Sequence, residues 1–264
     1  MCDDKVVQIT ILTNDDFGPW THTLGNDREH KVQMYQCSLY KTLQNLFSVR
    51  GGLVFSNRFD EFFAISDGIS YSDHLDIKTK IQSLFPFEIS MSISNSPLPL
   101  QANKQAYAAK MAVNCTDTIS AALDSDSEND GIHLIHLDIE GITEMRKTTS
   151  PYDITMMVQA TQQIVSYYCY ENMLMGFFVG GNNFVIISDK NPQIHSKLLT
   201  AKISKHLNII VNCGIGEEKT ARIAMAMATK NLDMIRHVRK YNDSFPRILD
   251  NKTSLEGLSG IAVQ

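Results

Sequence analysis

The chain has 264 residues, of which 43% are hydrophobic, and a formal net charge of −5 at pH 7. This length allows one large domain or two domains of about 130 residues, and the hydrophobic fraction is enough for an ordinary core. Binding to DNA or RNA needs concentrated positive charge. Because the chain contains no block of lysines or arginines, we expect no nucleic-acid partner.

The five cysteines exclude two further kinds of site. They are odd in number and form no C-x-x-C pair, so the sequence predicts neither a disulfide framework nor a cysteine-ligated zinc site. The first residues, MCDDKVVQI, contain no apolar signal segment, and no run approaches the roughly 18 apolar residues of a membrane helix. We therefore expect a cytoplasmic protein without zinc and without a membrane partner.

Hydrophobic periodicity predicts the same order of elements in both halves of the chain. In the first half it predicts a strand at 5–13, a helix at 29–48, a hairpin at 52–66, a helix at 72–84, a strand at 87–94 and a helix at 99–122. In the second half it predicts a strand at 132–139, a helix at 152–170, a hairpin at 173–188, a helix at 191–206, a strand at 208–215 and a helix at 218–240.

The two halves also resemble each other in sequence. LVFSNRFDEFFAIS aligns with MGFFVGGNNFVIIS, which places Asp60 opposite Asn182. Aligning the two first strands by the acid at their ends places Asp15 opposite Asp138. We interpret this pattern as a tandem duplication.

The repeated order predicts an α+β fold made of two ferredoxin-like, palm-type subdomains, each an antiparallel sheet with helices on one face. The subdomains are expected at 1–123 and 132–240. The acidic segment 124–131 is predicted to be a linker, and the tail 241–264 is assigned no element. In such a unit the end of the first strand lies beside the middle hairpin, so polar residues at the two places can meet.

Acidic residues stand at these strand ends and hairpin tips. Asp15 and Asp16 end the first strand, Asp60 lies on the first hairpin, and Asp138 ends the first strand of the second half. Carboxylates suit Mg²⁺, which takes one or two of them together with water and substrate phosphate. Two such ions would hold a triphosphate and activate water, whereas capping of turns is the alternative role for each acid.

Other residue types at these places could contact a nucleotide. His136 shares a strand face with Asp138, so it is a candidate to orient a carboxylate or transfer a proton near pH 7. Aromatic rings can stack on a base, glycines let backbone approach a ligand, and basic residues at a helix N-terminus favour phosphate. The substrate-binding candidates are Phe17, Trp20, Arg58, Gly180, Gly181, Asn183, Gly214, Gly216, Lys219 and Arg222. Ordinary packing or turn formation is the alternative for each.

Five segments form a distinctive set: DDFGPWT at 15–21, GLVFSNRFDEFFAISDGI at 52–69, HLDIEGIT at 136–143, FFVGGNNF at 177–184 and GIGEEKTA at 214–221. Together they resemble archaeal GTP cyclohydrolase III, in the same order along the chain. The resemblance implies two palm-type halves related to nucleotidyl cyclases. It also implies hydrolysis that opens the imidazole ring of GTP, keeps the formyl group and cleaves the triphosphate, as the first step of archaeal riboflavin and deazaflavin synthesis.

The resemblance further implies a requirement for Mg²⁺, bound as two ions, stimulation by a monovalent cation such as K⁺, and a homo-oligomer, either a dimer or a tetramer. Asp15, Asp60 and Asp138 match acids of the family's motifs. At Asn182 the chain departs from them, because the family's hairpin reads Gly-Gly-Asp-Asn. A neutral amide oxygen holds a cation more weakly than a carboxylate does. Asp16 is a second departure, since the family often has asparagine there.

We therefore expect Asn182 to be a weak ligand of the metal site, beside Asp15, Asp16, Asp60 and Asp138. Two other functions remain open at this point. A nucleotidyl cyclase shares the G-G-x-x-F hairpin, although such cyclases place an acid where this chain has Asn182. A non-catalytic GTP-binding regulator would tolerate the amide.

Overall fold

The computed structural model describes residues 6–112, 119–122 and 131–251. The chain divides into two compact units, one comprising residues 1–130 and 220–222 and the other residues 131–219 and 223–264. Nearly all of the predicted linker, 124–130, lies outside the described residues. Among the helices in the described ranges, none combines the length and the apolar character of a membrane span.

Each half of the chain contains the predicted elements together with a few additional short ones. The first half forms β1 (Val7–Asn14), α1 (Phe17–Thr23), α2 (Glu29–Ser48), β2 (Leu53–Ser56), β3 (Glu61–Ile65), α3 (Tyr71–Leu84), β4 (Ile89–Ser96), α4 (Pro99–Ala112) and β5 (Ile119–Ala122). The second half forms β6 (Ile132–Ile139), α5 (Ile142–Met145), α6 (Pro151–Glu171), β7 (Met175–Gly180), β8 (Asn183–Ser188), α7 (Pro192–Leu207), β9 (Val211–Glu218), α8 (Ala221–Arg239) and β10 (Ile248–Leu249).

The two sheets have the same topology. Their strand orders are β2-β3-β1-β4-β5 and β10-β9-β6-β8-β7. In each, four strands follow the ferredoxin-like order, and a fifth strand joins in parallel beside β4 or β9. The predicted α+β class and the tandem duplication of ferredoxin-like subdomains are confirmed.

The two added edge strands correct the secondary-structure prediction. The helix predicted over 99–122 ends at Ala112, and Ile119–Ala122 instead forms β5, with Ile119 opposite Met91 of β4. The alanine content favoured a helix, but pairing with an open sheet edge overrides this weak preference. In the tail, for which the sequence predicts no element, β10 pairs with β9 and buries Leu249.

Helices cover both faces of each sheet, so the prediction of helices on one face is wrong. On one face, Met91 and Ile93 of β4 share a core with residues of α2 and α3. On the other, Ser94 donates to Gln105 of α4 at 3.3 Å. In the second unit, a Cβ on Gly214 would lie 2.0 Å from the carbonyl oxygen of Ala228 in α8. Small residues on these faces allow the last helix of each half to pack directly on the sheet.

Strand pairing also corrects the alignment of the two halves. Thr13 pairs with Glu61 in the first sheet, and Asp138 pairs with Asn183 in the second. Because Glu61 and Asn183 occupy the same place in the aligned hairpins, Thr13 is the structural equivalent of Asp138. The predicted equivalence of Asp15 and Asp138 is therefore wrong. The two acids match in chemical type, but backbone pairing sets the register of a strand.

Candidate functional site

The glycine turn of the second unit brings Asn182 to the end of β6. Gly180 and Gly181 have φ angles of 113° and 62°, which glycine adopts without steric cost. The Asn182 amide nitrogen donates to Asp138 Oδ1 at 2.5 Å and to the Ile139 carbonyl at 2.7 Å. Both neighbours are acceptors, so the amide presents its N–H₂ group to the acid and not its oxygen.

Asp138 is held by a basic residue that the sequence reasoning did not select. Its side chain is only 6% exposed, and Arg236 of α8 reaches it with Nη2 at 2.8 Å from Oδ1 and Nε at 3.2 Å from Oδ2. Burial raises the pKa of Asp138, and the bidentate ion pair with the Arg236 guanidinium opposes that shift. Arg236 approaches Asp138 from a helix 98 residues further along the chain, and no local sequence pattern marks it.

His136 lies on the same face of β6 but hydrogen-bonds to other groups. Its Nδ1 is 3.1 Å from Thr229 Oγ1, and its Nε2 is 3.1 Å from Asn183 Oδ1. Burial, helped by the positive charge of Arg236, lowers the pKa of His136 to about 4. The ring is therefore neutral at pH 7, with both nitrogens used inside the unit.

A cavity of about 580 Å³ opens beside Asp138, between the loop after β6, the hairpin tip and the end of α8. Every acid in its lining has a basic partner: Asp138 pairs with Arg236, Glu140 with Arg247 and Glu144 with Lys147. Arg146 and Lys240 also line the cavity, and neither has a carboxylate partner among the residues described. The cavity thus has an excess of positive charge.

A second cavity, of about 810 Å³, lies along α6 and β7. Its lining includes the apolar side chains of Ile154, Val158 and Phe178. Arg146 lines this cavity as well as the one beside Asp138, so the two adjoin. A polar, basic cavity next to a larger apolar one suits a ligand with an anionic end and a flat apolar end.

The first unit has a different arrangement at the equivalent strand end. The backbone N–H of Asn14 donates to the Asp60 carbonyl at 2.8 Å, which joins β1 to the tip of its hairpin. Asp15 Oδ1 accepts from Lys110 of α4 at 2.8 Å. Asn14 Oδ1, Asp15 Oδ2 and Asp60 Oδ1 are buried and accept no hydrogen bond within the described part of the chain. Arg58 Nε lies 3.4 Å from Asp60 Oδ1, but not in hydrogen-bond geometry.

These differences distinguish the two units as places for a divalent cation. Buried oxygens without donors suit a hard cation, and Asn14, Asp15 and Asp60 each carry one. At Asp138 the carboxylate oxygens already face donors, so the second unit does not fit the ion. No group of three or more His, Cys, Asp or Glu side chains in the described ranges is arranged to hold a metal. Water and substrate phosphate would have to complete the coordination in the first unit.

Several other candidate residues have packing roles in the structure. Trp20 is buried, with ring centroids of Tyr35 and Phe87 each 5.0 Å away, and Phe17 packs on it at 5.9 Å. Asp16 is exposed before α1 and caps it with no side-chain hydrogen bond.

The candidates near the start of α8 do not gather around Asp138. Gly214 and Gly216 lie beneath this helix, where their missing side chains allow close packing. Lys219 is exposed. Arg222 belongs to the first unit, where its guanidinium donates to the Ser48 carbonyl at 3.1 Å.

Comparison with known proteins gives one consistent family. The family model of GTP cyclohydrolase III matches residues 6–246. GTP cyclohydrolase III of Methanothermobacter thermautotrophicus is 30% identical over 237 residues, covering 88% of this chain and 95% of that protein. The protein of the same name from Methanocaldococcus jannaschii is 31% identical over 239 residues, covering 88% of each chain. A solved bacterial light-regulated adenylyl cyclase has a TM-score of 0.39 at 8% identity, covering 93% of this chain and 85% of its own, which is too low for any inference.

Proposed function

Since the chain belongs to the GTP cyclohydrolase III family, we propose that it hydrolyses GTP, opening the imidazole ring and cleaving the triphosphate. The product would be a formylaminopyrimidine ribonucleotide monophosphate, the first intermediate of archaeal riboflavin and deazaflavin synthesis. The family match over residues 6–246 is the observation that carries this proposal.

Ring opening consumes one water. Its oxygen adds to C8 of guanine, the C8–N9 bond breaks, and a proton passes to N9 while the formyl group stays on N7. Each phosphoanhydride bond that is cleaved consumes a further water, so two cleavages release two phosphates and leave the monophosphate. Neither step needs an oxidant or a reductant, so a hydrolytic site with acidic and basic residues is sufficient.

We place Mg²⁺ in the first unit, with Asp15, Asp60 and Asn14 as its protein ligands. When bound there, the ion would neutralise phosphate charge and activate water. Lys110 holds Asp15 by one oxygen and leaves Oδ2 available as a ligand. His136 is neutral near pH 7 and fully hydrogen-bonded, which supports a positioning role and not proton transfer. We also propose stimulation by K⁺ and assembly into a dimer or tetramer, as in the family that the sequence resembles.

The experiment that tests the function is identification of the product formed from GTP and Mg²⁺. We expect the guanine absorbance to change and mass spectrometry to detect the ring-opened monophosphate. A cyclic product with an intact purine would show a nucleotidyl cyclase instead. Tight GTP binding with an unchanged spectrum would show a non-catalytic regulator.

The variant Asp15→Asn tests whether Asp15 belongs to the metal site. Loss of a metal-ligating carboxylate should lower the rate about 100-fold, since several kcal/mol of charge stabilisation depend on the ion. Asp27→Asn is the matched control, because Asp27 is a fully exposed acid of the same unit. Equal rates for both variants would remove Asp15 from the site.

A further inference from the structure

We infer that the second unit contains a metal-independent site for the triphosphate of a purine nucleotide, in addition to the metal site proposed for the first unit. The inference rests on the proposed use of GTP. It concerns the two adjoining cavities beside Asp138 and α6.

The carboxylate at this site is closed to a divalent cation. Asp138 Oδ1 faces the Asn182 amide at 2.5 Å and Arg236 Nη2 at 2.8 Å, and Oδ2 faces Arg236 Nε at 3.2 Å. A cation would have to displace a positively charged guanidinium and an N–H donor. The Asn182 amide thus converts a place that resembles a metal site into one held together without metal.

The remaining charges around the cavity favour an anion. Each lining acid is neutralised within the unit, whereas Arg146 and Lys240 have no described carboxylate partner. Arg239 adds a third positive group, whose Nε is buried without a hydrogen-bond partner in the described ranges. Arginine and lysine bind phosphate oxygens through charge-assisted hydrogen bonds. A polyphosphate is the kind of ligand that would bind to these basic side chains.

The adjoining cavity supplies a place for the base. Phe178 on its wall is 41% exposed, although the side chain is large and apolar, and a flat ring can stack on it. Gln159 and Gln162 of α6 also line the cavity and offer both donors and acceptors. Because Arg146 lines both cavities, one molecule with phosphates at one end and a purine at the other would occupy the pair.

The test is calorimetric binding of a non-hydrolysable GTP analogue to the full chain in EDTA. We expect binding without divalent cation, and we expect Arg146→Gln and Lys240→Gln each to weaken it about tenfold, the effect of one lost charge-assisted contact. Both side chains are exposed, so neither change disturbs the core. Lys197→Gln is the matched control, because Lys197 is exposed on α7 and lines neither cavity. Inorganic tripolyphosphate should compete with the analogue in the unmodified chain.

The outcomes separate this inference from the proposed function. No binding in EDTA, or binding that both cavity variants leave unchanged, would overturn the inference even if GTP is turned over with Mg²⁺. Conversely, Asp15→Asn should keep the binding in EDTA while it loses turnover. Binding in EDTA with no turnover by the unmodified chain would support the inference and refute the proposed hydrolase.

Discussion

Asn182 makes the hairpin tip of the second unit a neutral hydrogen-bond donor. Its N–H₂ group bonds to Asp138 and to the Ile139 carbonyl, so it neutralises no charge but satisfies two buried acceptors. An aspartate at this position would place a second carboxylate beside Asp138, which already pairs with Arg236. Two close carboxylates repel unless a cation lies between them.

Asn182→Asp should therefore lower stability in EDTA by about 1–3 kcal/mol, the cost of leaving buried acceptors without a donor. Added Mn²⁺ should restore the stability by bridging the new carboxylate pair. Urea unfolding in EDTA and in Mn²⁺ measures both effects. Asn26→Asp, at an exposed position, is the control. Unchanged stability in EDTA together with no response to Mn²⁺ would contradict the geometry at the tip.

The lowered pKa of His136 predicts that the stability of the protein depends on pH. Its pKa falls from 6.5 to about 4 on folding because burial disfavours the charged ring. Between these values the unfolded chain binds the proton and the folded chain does not, so stability is complete above pH 6.5 and is lost as the pH falls towards 4. At about 1.4 kcal/mol per pKa unit, the total is on the order of 3 kcal/mol.

His136→Gln keeps a hydrogen-bonding side chain but cannot take up the proton. Urea unfolding at pH 7 and at pH 4.5 should show a smaller loss of stability for this variant than for the unmodified chain. His206→Gln is the control, because His206 is exposed on α7. The same loss in both variants would mean that another group is responsible.

At the scale of elements, the contact between α8 and β9 depends on two glycines. A Cβ on Gly214 would lie 2.0 Å from the Ala228 carbonyl oxygen, and a Cβ on Gly216 would lie 1.9 Å from that of Ala224. Both obstacles are helix backbone, which cannot move without shifting α8. Because α8 carries Arg236, its distance from the sheet also sets the contact with Asp138.

Gly214→Ala should destabilise the protein by about 3 kcal/mol, at the upper end of the usual cost of overpacking. Gly18→Ala is the matched control, because a Cβ there meets nothing within 4 Å and Gly18 lies in a helix. The control should change stability by no more than about 1 kcal/mol. Thermal unfolding measures both. A Gly214→Ala variant as stable as the control would show that α8 does not depend on this close approach.

Long, periodic elements could be predicted from the sequence. The helix predicted at 29–48 is α2, since its apolar spacing of three and four residues is buried as expected. The strand predicted at 132–139 is β6. The short strands β5 and β10 could not be predicted, because their stability comes from the sheet edges that they join and not from their own residues.

The candidate sites could be predicted only where they are formed by residues close to one another in the sequence. The hairpin glycines and the turn chemistry indicated that Asn182 would reach the end of β6. Arg236 and Lys110 were missed, because they approach their acids from distant helices and no local pattern marks them. The wrong alignment of Asp15 with Asp138 has a related cause, since strand register depends on partners far along the chain.

At the scale of the whole molecule, the two units share one topology but differ in the polar side chains at the corresponding strand ends. Asn14, Asp15 and Asp60 keep buried oxygens without donors in the first unit. In the second, Asp138 bonds to Arg236 and to an amide. A duplicated fold thus keeps its backbone pattern while its two sites diverge through a few side chains.

This asymmetry predicts the number of metal sites. Electron paramagnetic resonance titration with Mn²⁺ should detect binding that Asp15→Asn lowers, at least tenfold in affinity, because a ligating carboxylate is removed. Asp138→Asn should leave Mn²⁺ binding unchanged in protein that circular dichroism shows to be folded. Equal losses in the two variants would assign metal to both units.

The strand β10 has a consequence for how the protein is made. It covers the edge of β9, and Arg247 just before it bonds to Glu140 at the end of β6. During translation, the edge of β9 therefore stays open until residue 249 has left the ribosome. Until then β9 offers unpaired backbone groups to other nascent chains, and exposed edges of this kind promote association. A pause in synthesis shortly before Ile248 would lengthen that vulnerable interval.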